Sequence, residues 1–271
     1  MRSAILAASG ILTVLAIPAA SAQEFNGPYV GLSYGYGFQG ADDSETILFD
    51  RGFDGTDDVV TTTAGTDAFS PGFCGGRGVA LPSAGCEDDR DGIQYHVRAG
   101  WDLQFGNVVV GAVGEFGRSE ARDSVSAFST TPAYYTMTRS IDWEANLRLR
   151  AGYAFGGKTL AYVSGGPAYA RIKNSFRTNN AANAFLDNGD SYSWGVAGGG
   201  GIEHKIAPNV SIGLEYLYTR YNDDDYRVRA VQGIASPINP FILFGAPGTE
   251  FRRSDPRFES HAARAALIFR F

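Results

Sequence analysis

From Tyr95 to Phe105 the chain alternates. Tyr95, Val97, Ala99, Trp101, Leu103 and Phe105 are apolar, whereas His96, Arg98, Asp102 and Gln104 between them are not. Ile141 to Phe155 sustains the same rhythm, with Ile141, Trp143, Ala145, Leu147, Leu149, Ala151, Tyr153 and Phe155 set against Asp142, Glu144, Asn146, Arg148 and Arg150. A period of two places alternate side chains on opposite faces of an extended strand. These runs outlast the five or six residues usual in a globular strand. About thirteen residues rising about 3.3 Å each, tilted about 45°, climb about 30 Å, the thickness of an apolar bilayer core.

The pattern predicts eight such strands, over residues 28–39, 92–105, 108–120, 141–155, 158–172, 191–206, 210–222 and 259–271. Their connections alternate between short and long. Gly106-Asn107, Gly156-Gly157 and Ala207-Pro208-Asn209 have hairpin chemistry. The intervening long stretches are rich in Asp, Ser, Thr, Asn and Gly. A two-residue turn at Gly106-Asn107 sets Arg98 opposite Glu115 and aligns the apolar residues of both strands on one face. A two-residue turn at Gly156-Gly157 would set Tyr153 against Leu160 and Ala151 against Tyr162. The turn at Pro208 keeps parity, so that Trp194, Val196 and Ile202 share a face with Ile212, Leu214 and Tyr216.

One face of every strand is thus apolar. The other carries Arg98, Asp102, Glu115, Asp142, Glu144, Arg148, Arg150, Glu203, Glu215 and Arg264. Unpaired backbone groups in hydrocarbon cost several kcal/mol each, so only a closed sheet satisfies both the lipid and the strand edges. The expected fold is all-β: an eight-stranded antiparallel up-and-down transmembrane β-barrel, with short periplasmic turns and long extracellular loops. Such a bore is just wide enough for side chains to fill, and Arg98, Glu115, Arg148, Arg150, Glu215 and Arg264 are the expected lumen charge network.

Composition narrows the compartment. The 271 residues include 35 glycines, 14 tyrosines and 18 phenylalanines but only 2 methionines, and charged residues make up 19 %. Arg2, the apolar run AILAASGILTVLAI and the small residues Ala20 and Ala22 read as a secretory signal peptide over residues 1–22, leaving 23–271 as the barrel domain. The net charge of −6 argues against a nucleic-acid partner. Cys74 and Cys86 are the only cysteines of this exported chain, so a disulfide is expected, and two thiols alone are too few for a metal site.

The stretches GPYVGLSYGYG, VVVGAVGEFG and SWGVAGGGGIEHKIAPNVSIGLEYLYTRY carry a resemblance to the small eight-stranded outer-membrane barrels of Gram-negative bacteria, opacity-protein-like and OmpA-type. It covers the whole mature chain and implies a cell outer membrane location. In that family a C-terminal aromatic with alternating apolar residues before it is the signal read by the barrel-assembly machinery. Phe271, Phe269, Leu267, Ala265 and Ala263 match that pattern. The longer OmpA-type proteins carry a periplasmic peptidoglycan-binding domain after the barrel; none is expected here.

Candidate chemistry is sparse. Gly198–Gly201 lacks the Lys-Ser/Thr of a phosphate loop and fits close packing in a strand better. Glu87–Gly92 resembles a calcium loop, but Arg98 stands where the bidentate Glu belongs. These acids, with Asp42-Asp43, Asp57-Asp58 and Asp223–Asp225, read as solvated loop charge, with weak divalent-ion bridging near lipopolysaccharide as the alternative. Ser260 and His261 are neighbours on a strand and face opposite ways, a poor nucleophile–base couple. No catalytic, cofactor or metal residues are assigned. Phe241–Phe244 is an exposed apolar contact site, packs against its own loop's Ala and Val residues, or dips into the bilayer rim. The expected function is a non-enzymatic outer-membrane protein with a plugged, charged lumen, serving envelope structure and surface interaction through long acidic loops. Its partners are outer-membrane lipid and lipopolysaccharide, the assembly machinery and an extracellular loop ligand. A small-solute channel is the alternative, with a barrel enzyme acting on lipid or peptide behind it.

Overall fold

Long alternating runs become long strands. The computed structural model describes residues 24–40 and 44–271, so the leader read over residues 1–22, and Asp42-Asp43, lie outside the described residues. Eight strands form the barrel: β1 (Gly27–Phe38), β2 (Gly92–Phe105), β3 (Val108–Ser119), β4 (Ala133–Phe155), β5 (Thr159–Thr178), β6 (Ser191–Ala207), β7 (Val210–Asn222) and β8 (Arg257–Arg270). Each pairs antiparallel with the next, and β8 returns to β1 through Leu32↔Leu267 and Gly35↔Arg264. The short turns lie at one end and the long connections at the other.

The apolar face points outward all round. Leu149, Leu214 and Trp194 are 73 %, 71 % and 67 % exposed, which water would penalise and hydrocarbon would not. Leu214→Arg, near mid-height on β7, should therefore cost about 2–4 kcal/mol of folding free energy in a bilayer. Urea titration in lipid vesicles, read by the shift of folded barrel on unheated gels, checks this.

The β2–β3 register matches expectation, with Arg98↔Glu115 and Trp101↔Ala112 across the Gly106-Asn107 turn. At β6–β7 the turn closes on Ala207↔Val210, and a bulge between Lys205 and Ala207 restores the expected parity, with Ile202↔Leu214. The β4–β5 turn is a correction. Gly156 and Gly157 both take positive φ (55° and 72°) and Lys158 joins them, so the loop has one residue more than expected. Phe155 now pairs with Thr159, Tyr153 with Ala161 and Ala151 with Val163. Leu160 and Tyr162 consequently face the lumen, buried.

A second correction concerns Ile141 and Asp142. A register shift between Arg171 and Ile172 puts an extra residue into β4. Below it the even residues of β4 point inward; above it the odd ones do, so Ile141 is buried and Asp142 turns out to pair with Arg171. Beyond this bulge β4 and β5 run past their expected ends, starting at Ala133 and finishing at Thr178.

These extensions carry an ordered extracellular head. The segment Arg122–Ser129 pairs with β4, and Gly72–Gly75 adds to its far edge. A separate sheet joins four loop segments, in the order Ala184–Asp187, Val228–Val231, Thr249–Arg253 and Ile47–Arg51. Between them lies an apolar core that includes Phe49, Phe69, Tyr135, Met137, Phe241 and Phe251. Phe241 and Ile242 belong to this core and Leu243 is buried beside them, so the segment packs against several loops rather than within its own alone, while Phe244 is 84 % exposed. Cys74 and Cys86 are joined by a disulfide. Of the acids read as solvated loop charge, Asp57, Glu87, Asp88, Asp224 and Asp225 are exposed, and the correction concerns buried Asp223. Asp57 pairs with Arg252 at 2.7 Å, Asp58 accepts the Arg51 N–H at 2.9 Å, and buried Asp223 accepts the Ser191 hydroxyl at 2.6 Å. The first joins two different loops, the second closes one loop on itself, and the third ties a loop to the start of β6.

Candidate functional site: the lumen and its mouth

Inward-facing positions of the eight strands converge in layers. The floor at the turn end is apolar: Phe25, Val109, Ala154, Leu160 and Tyr162 pack together. Phe25, just before β1, donates its N–H to Gln104 Oε1 at 2.8 Å, which holds the incoming chain across the opening.

Above the floor, Arg150 and Arg270 face Asp102 and Glu203. Arg150 Nη2 lies 2.8 Å from Glu203 and Arg270 Nη2 lies 3.0 Å from Asp102 and 3.1 Å from Glu203. The Arg150 guanidinium lies over the Tyr162 ring at 4.3 Å and that of Arg270 over Tyr29 at 4.7 Å. Asp102 and Glu203 thus neutralise this layer and the two rings cover its guanidinium faces.

The middle layer holds three arginines around two carboxylates. Arg98 reaches Glu115 at 2.5 Å and Glu215 at 2.7 Å; Arg148 reaches both at 2.8 Å; Arg264 reaches them at 3.0 and 2.5 Å. Every arginine bridges both acids. Space for these stems comes from β1, where a Cβ on Gly31 would lie 3.3 Å from Arg98 Cγ and one on Gly35 would lie 2.8 Å from Arg264 Cγ. Of the six residues expected to form one network, five meet here and Arg150 belongs to the layer below.

Next come His96, 2.8 Å from Glu144, and Tyr221, which donates its hydroxyl to Glu144 at 2.5 Å. An apolar layer of Ile141, Ile172, Leu217 and Phe258 covers them. At the mouth, Arg139 pairs with Asp123 at 2.8 Å and stacks over Phe258 at 5.1 Å, and Arg253 pairs with Asp123 and Glu45. Burial pushes the Glu45 carboxyl up to about 7 despite Arg253 beside it. Burial acts on Asp123 too, but Arg253 and Arg139 hold its carboxyl below the ordinary aspartate value, so Asp123 is the steadier counter-ion.

From floor to mouth, seven arginines thus meet seven carboxylates, nearly all within ion-pair distance. Sequence reasoning missed Arg270, Glu45, Asp123, Arg139 and Arg253. Arg270 was legible by parity with Arg264; the mouth residues lie beyond the bulge or in loops, where parity gives no guide. Ala265, Leu267 and Phe269 are exposed on the outer face of β8, and Phe271, just after it, is exposed and donates its N–H to Pro28 O at 3.0 Å.

Residues 6–236 match the family described as outer membrane protein beta-barrel domain. A 31 kDa outer-membrane immunogenic protein of Brucella melitensis is 29 % identical over 174 residues, 60 % of this chain and 72 % of that protein. A 25 kDa outer-membrane immunogenic protein of Brucella abortus is 30 % identical over 128 residues, covering 47 % of this chain and 52 % of its own length. The crystal structure of the outer membrane protein OprG from Pseudomonas aeruginosa aligns over 91 % of this chain and 97 % of its own, at 12 % identity and a TM-score of 0.49.

Proposed function

The chain belongs to the outer-membrane β-barrel family and resides in the outer membrane, and from that premise we propose that it is a closed, non-enzymatic barrel whose function lies in its extracellular head. The carrying observation is the filled bore: alternating apolar and ion-paired layers occupy it from Phe25 to Arg253. Charges in a narrow, low-dielectric space are costly to separate, so the pairs hold one another in place. The head has its own apolar core, which makes the loops a fixed surface for contact with an extracellular partner. The relatives named as immunogenic outer-membrane proteins fit surface display of this kind.

Recording in a planar bilayer tests the reading. Wild-type protein should give no large, stable openings. Arg98→Ala with Glu115→Ala removes one charge of each sign from the middle layer and should retain the fold while raising ion flux. Large steady conductance in the wild type would instead make a small-solute channel the better reading.

Biogenesis belongs to the same proposal. The last strand, with Phe271, Phe269, Leu267 and Ala265 on its outer face, is the segment read by the assembly machinery. Deleting Phe271 should lower the folded fraction in the outer membrane, seen as loss of the heat-modifiable band at unchanged expression. An unaltered folded yield would remove that role from Phe271.

A further inference from the structure

Strand pairing sets the far end of the head. In the four-stranded loop sheet Ile47 pairs with Arg253, whose side chain reaches Asp123 at the barrel mouth. The opposite end of that sheet carries Arg51↔Thr249 and Ala184↔Val231. The stretches 52–58, 179–183 and 232–248 therefore emerge on the side away from the barrel. The turn after Ser129 stands beside them, with the Tyr134 N–H donating to Asn179 Oδ1 at 2.9 Å.

This tip differs from the rest of the loops in charge and in what it exposes. No charged residue occurs from Ser124 to Thr138, from Thr178 to Leu186 or from Ala230 to Thr249. The stretch 52–58 supplies the exceptions, Asp54, Asp57 and Asp58, of which Asp57 is paired with Arg252. Apolar side chains stand out in solvent here: Ile234, Phe244 and Ile238 are 88 %, 84 % and 66 % exposed. Phe244 (φ 63°) and Phe53 (φ 62°) are the two non-glycine residues with positive φ among the described residues, a conformation that persists where the surrounding structure imposes it. Asn239 fixes the chain before Phe244, accepting the Phe241 N–H at 3.0 Å and donating to Asn183 at 3.0 Å. Open ground lies beside these projections, since a Cβ added on Gly52, Gly55 or Gly245 would meet nothing within 4 Å.

We propose that this tip docks on the tip of a second copy of the chain in a facing membrane, with Ile234, Ile238 and Phe244 of each copy entering the glycine gaps of the other. The proposal rests on the reading of the head as the contact surface, and it names the partner. Charge selects that partner. Two chains of formal net charge −6 repel over most approaches, and the tip is the face on which few like charges meet. A charged ligand gains nothing from such a face. Insertion with the turns inward points every tip away from its own bilayer, so two tips meet about a two-fold axis when two membranes face each other. Three projecting side chains a side make a contact smaller than that of a stable soluble dimer, and many copies on each surface add up to adhesion.

The test inserts full-length mature protein into preformed phosphatidylcholine vesicles, which leaves the polar heads outside because they do not cross hydrocarbon. Vesicles carry one of two dyes, and clusters containing both dyes are counted. Wild-type vesicles should cluster with one another and not with protein-free vesicles. Added salt should raise clustering, because it screens the repulsion and there are no ion pairs to weaken. Ile234→Ser with Ile238→Ser and Phe244→Asn, the last tolerant of positive φ, should lower pair affinity about tenfold per side chain. Leu186→Ser, at a residue exposed on the edge strand of the loop sheet, should leave clustering unchanged. If the triple variant fails the heat-modifiability check, a charge swap serves: Ile238→Asp vesicles should not cluster among themselves, nor Ile238→Lys vesicles, whereas a mixture of the two should. Equal clustering with protein-free vesicles, dispersed wild type, dispersal by salt, or undiminished clustering in whichever variant folds would overturn the proposal. Conductance of the same vesicles reports the closed bore separately: large openings with intact clustering would sink that reading alone, and dispersed vesicles with a closed bore would sink docking alone.

Discussion

Glu215→Ala is expected to destabilise the barrel by about 3–5 kcal/mol, the cost of leaving buried charge without its partner. Glu215 lies 2.7 Å from Arg98, 2.8 Å from Arg148 and 2.5 Å from Arg264. Its loss leaves three guanidinium groups around the single carboxylate of Glu115. The measurement is the urea midpoint in lipid vesicles, followed by heat modifiability. A companion variant separates charge from packing: Glu215→Leu with Arg264→Leu removes one charge of each sign and fills the space with apolar volume. That double change should cost less than the single one, because replacing a buried ion pair with packed hydrocarbon is often close to neutral. If Glu215→Ala loses less than about 1 kcal/mol, the middle layer is solvated more like a surface salt bridge, and the closed-bore reading fails with it.

Phe251→Ala should do comparable damage in a different place. The ring is fully buried, with neighbouring ring centroids at 4.9 Å (Phe49), 5.2 Å (Phe241) and 5.8 Å (Tyr135). Large-to-small truncation of a buried aromatic costs about 3–5 kcal/mol. The loss should be confined to the head, since the eight barrel strands have their own hydrogen-bonded ladder and lipid contacts. Limited proteolysis should then cut the loops of the variant and spare those of the wild type, while both keep the same heat-modifiable barrel band. Simultaneous loss of the band would mean that head and barrel fold as one cooperative unit.

The barrel was legible because lipid on one side and charge on the other impose a strict period of two. The Arg98↔Glu115 pairing followed from Gly106-Asn107 alone, and Glu215 meets Arg264 across β7 and β8 although no short turn joins those strands. The errors came where a single residue changes parity. Lys158 lengthens one turn and sends Leu160 and Tyr162 inward; the bulge at Arg171–Ile172 exchanges the faces of Ile141 and Asp142. Neither insertion leaves a mark in composition. The head was illegible for another reason. Its apolar residues come in short, separate pieces, Ile47–Phe49, Phe69, Phe241–Ile242 and Phe251, none with a strand-long alternation, and only their convergence from separate loops makes a core. Acidic residues beside them suggested solvated loops, whereas Asp57 pairs with Arg252 of another loop and Asp223 is buried against Ser191.

The pairing of β8 with β1 has a consequence in time. Arg270 reaches the carbonyl of Phe25 across a sequence separation of 245 residues, and that seam is made from the two ends of the barrel chain. The three hairpins can form early from neighbouring residues, but the seam requires the last strand to exist, and long-range closure is intrinsically slow. Until then both edge strands expose unpaired amides, which hydrocarbon does not tolerate. The first strand synthesised must therefore wait, unpaired on one side, for the last. An interrupted chain has no partially closed state in which to rest within the membrane, because its open edges would lie in hydrocarbon.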